Sequence, residues 1–221
     1  MLGVDGCPGG WVAARVEAAT GRLTWHADTF AELLRLPADL VAVDIPIGLP
    51  DGAARRSADV EARDRLGAQR SSVFFVPPRV VLEAPTQAEA TLLSRAAGSV
   101  GVSVQTFHIL AKVAEVDALL QSDPALADRV LEVHPEVSLR RLGGRPLPPK
   151  RTADGRAQRL AVLRGWLPGL EVPAPRPGRA AADDCLDAVA CAWTAQRWLR
   201  GEAEVLGGEH DSTGLPMRIV V

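Results

Sequence analysis

The sequence predicts an α/β fold, with one mixed β-sheet covered by helices. Residues 2–26 contain short apolar runs separated by turn residues, which is the pattern of consecutive antiparallel strands. Further along, apolar runs alternate with segments of helical periodicity, as in parallel strands joined by helical crossovers. Hydrophobic residues make up 47% of the 221 residues, enough for one sizeable core. We therefore expect a single three-layer domain over residues 1–221.

The N-terminal segment predicts three strands. Residues 2–7 form an apolar run that ends in the turn cluster Cys7 to Gly10, and residues 11–17 resume as a strand. These two strands should form a hairpin. A turn at Gly21 then leads to a short third strand over residues 22–26.

A helix and a buried strand come next. Helical spacing begins at residue 30 and ends at Pro37, and residues 40–45 form a near-continuous apolar run. Such a run is typical of a strand covered on both faces. Because a helix precedes it, this strand can lie parallel to the first one.

The rest of the chain predicts two more strands, over residues 130–134 and 217–221, and six helices. The helices are expected at residues 57–66, 86–97, 105–120, from Pro135 onward, 154–166 and 180–199. No apolar run is long enough to span a bilayer, and the first residues lack the regions of a signal peptide. We expect a cytoplasmic protein with no membrane association.

Two aspartates interrupt apolar strands at corresponding places. Asp5 lies near the carboxyl end of the first strand, and Asp44 holds the same place on the strand over residues 40–45. If these strands are parallel neighbours, both side chains emerge at the edge of the sheet where α/β proteins place their sites. A charged residue in such a run is costly unless it is paired or binds a metal.

The longest predicted helix begins with more carboxylates. Asp184 and Asp187 are three residues apart and so share one face of a helical turn. Taken alone, this segment favours helix capping by Asp183 or Asp184. Together with Asp5 and Asp44, the two suit a site of oxygen ligands for Mg²⁺ or Mn²⁺.

Further candidates lie around the fifth strand and the loop after it. Glu132 lies within the strand, and Glu136 opens the following helix. His134 could move protons or contact phosphate, or it could be a hydrogen-bonded loop histidine. Lys150, in a proline-rich loop, could bind phosphate or be solvated.

Charge along the chain is segregated, although the formal net charge is only −2. Arginines are concentrated in residues 55–79 and 140–164, and acidic residues collect late in the chain. Arginine binds phosphate through two parallel hydrogen bonds, which suits a nucleic acid, although arginine usage can equally reflect genome composition.

Several motifs in combination resemble a bacterial family of unknown function whose members are described as predicted nucleases with a ribonuclease H-like fold. The matching segments are Gly3 to Trp11, Asp44 to Pro50, Arg70 to Phe74, Glu132 to Ser138, Asp183 to Ala190 and Gly214 to Val221. The resemblance thus extends over nearly the whole chain.

The resemblance implies a nuclease that hydrolyses phosphodiester bonds of a nucleic acid by a two-metal mechanism with Mg²⁺ or Mn²⁺. In that fold the first and fourth strands each carry an acid, and a late helix carries a third. Asp5, Asp44 and Asp184 or Asp187 occupy these places. The catalytic set would be Asp5, Asp44, Glu132 and Asp184, of which Glu132 is a feature of this family alone.

Asp5, Asp44, Asp184 and Asp187 would hold the metal, and four residues would bind substrate or phosphate, namely His134, Glu136, Lys150 and Arg70. The oligomeric state is left open, with a homodimer as one option. One alternative is a non-catalytic metal- or ligand-binding protein on the same fold. A weaker one is an actin- or hexokinase-like phosphotransferase, which needs two copies of the domain, whereas this sequence contains no internal repeat.

Overall fold

The computed structural model describes all 221 residues, and they form an α/β structure. The strands are β1 Leu2–Cys7, β2 Gly10–Val16, β3 Leu23–Asp28, β4 Val41–Val43, β5 Val130–Glu132, β6 Val205–His210 and β7 Pro216–Val220. The α-helices are α1 Phe30–Leu33, α2 Ser57–Leu66, α3 Gln87–Ala96, α4 Val104–Ser122, α5 Pro124–Arg129, α6 Pro135–Gly143, α7 Ala153–Trp166 and α8 Ala182–Leu199. Short 3₁₀ helices cover Gly67–Ser72 and Arg79–Glu83.

The chain divides into two compact units that alternate along the sequence. The first consists of Met1–Ile45, Arg129–Glu204 and Val220–Val221, and it contains the main sheet with α1, α6, α7 and α8. The second consists of Pro46–Asp128 and Val205–Ile219, and it contains α2, α3 and α4. A single domain over residues 1–221 stays a prediction.

The sheet of the first unit has the strand order β3-β2-β1-β4-β5. β2 pairs antiparallel with both β1 and β3, whereas β4 lies parallel to β1 and to β5. The mixed sheet expected from the sequence is therefore confirmed, including the hairpin of the first two strands and the parallel pairing of the first and fourth.

Helices cover both faces of this sheet. Alternation along β1 places Gly3, Asp5 and Cys7 on one face, and α8 packs directly against Gly3. A Cβ atom at Gly3 would lie 2.0 Å from the carbonyl oxygen of Ala188. On the other face α1 packs against β2, where the rings of Trp11 and Phe30 are 5.0 Å apart.

The core of the first unit lies between the sheet and the helices α6, α7 and α8. Its buried side chains include Val12 and Ala14 of β2, Leu139 of α6, Leu163 of α7 and Val189 of α8. The small residues that α8 presents to the sheet, with Ala188 and Ala192 beside Gly3, let the helix approach the strands closely. This face of the sheet is also the one that carries Asp5.

The second unit contains a strand that the sequence patterns do not predict. β6 pairs with β7 in a two-stranded sheet, but it includes Gly207 and Gly208, both with positive φ. Two adjacent glycines interrupt the alternation by which strands are recognised. At Gly207 a Cβ atom would lie 2.8 Å from the backbone nitrogen of Ala58, so the close approach of α2 requires glycine there.

No helix of the chain combines the length and the apolar character that crossing a membrane requires.

Candidate metal centre

Two parallel strands bring Asp5 and Asp44 to the same edge of the sheet. The register of β1 and β4 pairs Gly3 with Ala42 and Val4 with Val43. Asp5 and Asp44 are the next residues along these strands, and the backbone N–H of Asp44 donates to the carbonyl oxygen of Val4. Because side chains alternate along a strand, both carboxylates project toward the face that α8 covers.

The third carboxylate comes from α8. Asp187 lies one residue before Ala188, the residue whose backbone contacts Gly3 of β1. One carboxylate oxygen from each of Asp5, Asp44 and Asp187 lies within 4.8 Å of the other two. We call these three residues the carboxylate cluster. Asp5 is 8% and Asp187 1% exposed, and Asp44 is half-buried.

The two carboxylate oxygens of Asp187 differ in their partners. Oδ2 accepts a hydrogen bond of 2.7 Å from Nζ of Lys150. Oδ1 is buried and accepts no hydrogen bond. An ionised carboxylate normally satisfies both oxygens when it is removed from water. An unsatisfied oxygen beside two further carboxylates is the arrangement that a cation would complete.

Burial raises the pKa values of all three carboxylates of the cluster. Burial, followed by the nearby Asp44 and Asp187 carboxylates, raises the pKa of Asp5 well above its ordinary value. Burial raises the pKa of Asp44 to about 7 and that of Asp187 to about 6, although Lys150 lowers both. The ionised forms are thus disfavoured until more positive charge is supplied.

Lys150 is the cation already present at the cluster. Burial acts to lower its pKa, but the Asp187, Asp5 and Asp44 carboxylates outweigh that effect, and the pKa lies above its ordinary value. Its side chain keeps 43% of its surface exposed, whereas that of Asp187 keeps 2%. Lys150 therefore reaches the cluster from the solvent side, and the phosphate contact predicted for it stays a prediction.

Glu136 is the fourth carboxylate near the cluster, and it is neutralised by its own partner. Its two oxygens accept hydrogen bonds of 2.7 and 2.8 Å from Nη2 of Arg159, a side chain that is 1% exposed. Glu136 also contributes to raising the pKa of Asp44 and Asp187. It lies in the first turn of α6, where a carboxylate is stabilised by the helix dipole.

Asp184 lies beside the cluster in a different role. Its Oδ2 accepts a hydrogen bond of 2.8 Å from the backbone N–H of Ala181, which caps the start of α8. Its charge raises the pKa of Asp5, but less than Asp44 and Asp187 do. The structure therefore brings Asp187 into the cluster and leaves Asp184 at the helix terminus.

Glu132 and His134 come from β5 and the residues after it. Glu132 pairs with Val43 across the parallel strands, so alternation places its side chain on the face opposite to Asp5 and Asp44. It is 5% exposed. His134 is the residue that precedes α6, and it is half-buried. The structure does not bring Glu132 to the carboxylate cluster.

Arg70 belongs to the second unit, in the 3₁₀ helix Gly67–Ser72, and it is exposed. Its backbone carbonyl accepts a hydrogen bond of 3.0 Å from the guanidinium of Arg63. Its role in phosphate binding stays a prediction.

Sequence patterns did not single out Arg159, the buried arginine that holds Glu136. It lies on α7 between Arg156 and Arg164, and the structure shows that it is the buried one of the three. The sequence contains a weak signal, since Arg159 lies four residues before Leu163 and therefore shares the apolar face of that helix.

The donor set of the cluster fits Mg²⁺ or Mn²⁺. Three carboxylates offer hard oxygen ligands, and these ions prefer such ligands. Two thiols lie nearby, and burial raises the pKa of Cys185 to about 11 and that of Cys191 well above its ordinary value. Both therefore stay protonated at neutral pH.

Comparison with known proteins identifies a matching family. The model of a family described as "Protein of unknown function (DUF429)" matches residues 3–212. No curated protein matches the chain. No solved structure matches it either.

Proposed function

Since the chain belongs to the DUF429 family of proteins of unknown function, its activity has to be inferred from the site itself, and we propose that it is a divalent-metal-dependent nuclease with a ribonuclease H-like fold. The carboxylate cluster would bind the metal, and a phosphodiester of a nucleic acid would be hydrolysed there.

The main support for this proposal is the hydrogen bonding of the Asp187 carboxylate. Its Oδ1 is buried and accepts no hydrogen bond, and the carboxylate lies within 4.8 Å of two others. Three such carboxylates, held by two strands and a helix, would be costly unless a cation joined them. A structural role alone would be served better by apolar side chains.

The topology supports the ribonuclease H-like part of the proposal. The sheet has three antiparallel strands followed by two parallel ones, in the order β3-β2-β1-β4-β5. Acids stand on β1, directly after β4 and on the last long helix, which are the places that the resemblance implies for metal ligands.

When bound, the metal would polarise a phosphodiester and promote the ionisation of a water molecule. Asp5, Asp44 and Asp187 would bind the ion, and their strands and helix fix their spacing. Lys150 would lower the repulsion between carboxylates by its charge. Arg159 keeps Glu136 paired, so that this fourth carboxylate does not add an uncompensated charge beside Asp44.

The test is an assay of cleavage by the full chain after removal of metal and addition of Mn²⁺ or Mg²⁺. Labelled single-stranded, duplex, hybrid and branched nucleic acids serve as substrates. We expect cleavage of at least one of them, and a loss of about 1000-fold or more in Asp5→Asn and Asp187→Asn, because a metal supplies several kcal/mol of charge stabilisation.

Asp183→Asn is the matched control, since it makes the same chemical change on the same helix outside the cluster. It should keep the wild-type rate. Cleavage that persists in Asp5→Asn would overturn the proposal. Binding of Mn²⁺ without cleavage of any substrate would identify a non-catalytic metal-binding protein instead.

A further inference from the structure

We infer that the carboxylate cluster takes a single divalent cation, and that Lys150 supplies the second positive charge of the site, with its ammonium positioned for a phosphate oxygen of the substrate. The inference rests on the proposed function and makes it more specific, because the family resemblance implies two metal ions, whereas this site already contains the ammonium of Lys150 beside Asp187.

The charge of the cluster supports one ion. Asp5, Asp44 and Asp187 carry three negative charges when ionised. The Lys150 ammonium balances one of them through its hydrogen bond of 2.7 Å to Asp187. The remaining two equal the charge of one divalent ion, and the charge of Glu136 is balanced by its ion pair with Arg159. A second divalent ion would leave the buried site with excess positive charge.

The number of available carboxylate oxygens also supports a single ion. Oδ2 of Asp187 is occupied by Lys150, and Oδ1 of Asp5 accepts a hydrogen bond of 2.7 Å from the backbone N–H of Gly6. Asp184, the nearest additional acid, has one oxygen occupied by the backbone N–H of Ala181. Few carboxylate oxygens are left for a second ion.

The backbone on both sides of Lys150 is fixed by hydrogen bonds, unlike that of an ordinary surface lysine. The carbonyl oxygens on both sides of it accept hydrogen bonds from α7 or its cap. Pro148 accepts from Arg159 at 2.6 Å, Pro149 from Thr152 at 2.8 Å and Arg151 from Arg156 at 3.0 Å. The loop is thus fixed on the helix, and the ammonium is pre-organised beside Asp187.

The type of residue also supports a cation role. Lys150 is one of only two lysines in the chain, and the other 23 of the 25 basic residues are arginines. A lysine ammonium is a compact point charge of the kind that can stand beside a carboxylate in place of an ion, whereas the arginine fork is larger and planar. Its exposed fraction of 43% leaves it accessible to a substrate.

The experiment measures how many Mn²⁺ ions bind per chain, without any nucleic acid. Metal-free full-length protein is titrated with Mn²⁺, and the free ion is followed by electron paramagnetic resonance. We expect one ion per chain in the wild type. In Lys150→Met, which removes the charge and frees Oδ2 of Asp187, we expect a second ion to bind.

Lys112→Met makes the same change at the other lysine, on α4, and should bind one ion like the wild type. Lys150→Gln repeats the charge removal with a polar side chain, in case the methionine variant does not fold. Two ions in the wild type, or a single ion in the Lys150 variants, would overturn the inference while leaving the metal site intact. No bound ion in any variant would instead overturn the proposed function.

Discussion

Asp184 and Asp187 lie three residues apart on α8 but have different roles. Asp184 caps the helix, whereas Asp187 belongs to the carboxylate cluster. Spacing along the sequence places both on one face of α8 and cannot decide which of them meets the sheet. The structure decides it through packing: Ala188 contacts Gly3 of β1, so its neighbour Asp187 faces Asp5, while Asp184 turns back to the N–H of Ala181.

Substitution at these two positions should therefore separate stability from metal binding. Asp184→Ala removes a helix cap and should lower the free energy of unfolding by about 1 kcal/mol while keeping Mn²⁺ binding. Asp187→Asn should abolish Mn²⁺ binding. Urea unfolding and Mn²⁺ titration of both variants provide the measurement. Loss of binding in Asp184→Ala would place that residue among the ligands instead.

The contact between β1 and α8 leaves no space for a side chain larger than that of glycine at position 3. A Cβ atom at Gly3 would meet backbone atoms of both Ala188 and Ala192, at 2.0 and 2.3 Å. Backbone cannot move aside as a flexible side chain can, so the helix would have to separate from the strand.

Gly3→Ala should accordingly lower the free energy of unfolding by about 3 kcal/mol or more, or prevent folding. Gly165→Ala is the matched control, because Gly165 lies in α7 without a positive φ, and a methyl group there would have no atom within 4 Å. There alanine should stabilise by up to about 1 kcal/mol, since it favours helix more than glycine does. Equal stabilities of the two variants in urea unfolding would contradict the close contact.

The pairing of α6 with α7 through Glu136 and Arg159 is the second contact between elements that matters for the site. Arg159→Met would leave Glu136 without its partner beside Asp44 and Asp187, and we expect a loss of about 3 kcal/mol. Adding Glu136→Gln removes the unpaired charge and should recover part of that loss. Thermal or urea unfolding of the single and double variants tests this, and no recovery would mean that the lost hydrogen bonds to the Pro148 and Gly155 carbonyls dominate.

Much of this arrangement could be predicted from the sequence, for identifiable reasons. Apolar runs ending in acids located Asp5 and Asp44, because a buried strand leaves a clear hydrophobic pattern. The partners of Glu136 and Lys150 could not be predicted, since a charged residue on a helix or loop looks the same whether it is buried or solvated. For Glu132 the sequence motif suggested a place in the site. The register of β5 instead places its side chain on the face of the sheet opposite to Asp5 and Asp44.

For the molecule as a whole, the buried carboxylates link stability to pH. The pKa of Asp44 rises from 3.8 to about 7 and that of Asp187 to about 6. Between pH 4 and 7 the metal-free folded state therefore holds protons that the unfolded chain has released, so these groups lower the free energy of unfolding as pH rises. Lys150 stays charged throughout. His26 and the amino terminus, whose pKa values burial lowers, act in the opposite direction.

A comparison between the wild type and Asp44→Asn isolates the carboxylate contribution. Without metal, the variant should gain stability relative to the wild type as pH rises from 5 to 8, by roughly 5 °C in Tm. With Mn²⁺ at pH 8 the order should reverse, because only the wild type keeps the full ligand set. Differential scanning calorimetry with and without chelator gives both comparisons, and a Tm difference independent of pH would refute the linkage.

The contact of Gly3 with α8 also fixes the distance between Asp5 and Asp187. Asp5 lies two residues beyond Gly3, and Asp187 lies next to Ala188. The separation of these two proposed ligands is therefore determined by the direct backbone contact between β1 and α8. Core side chains elsewhere in the first unit can change size, and stability with them, without altering that separation. Across variants of this chain, thermal stability should vary widely while affinity for the ion stays nearly constant, as long as position 3 remains glycine.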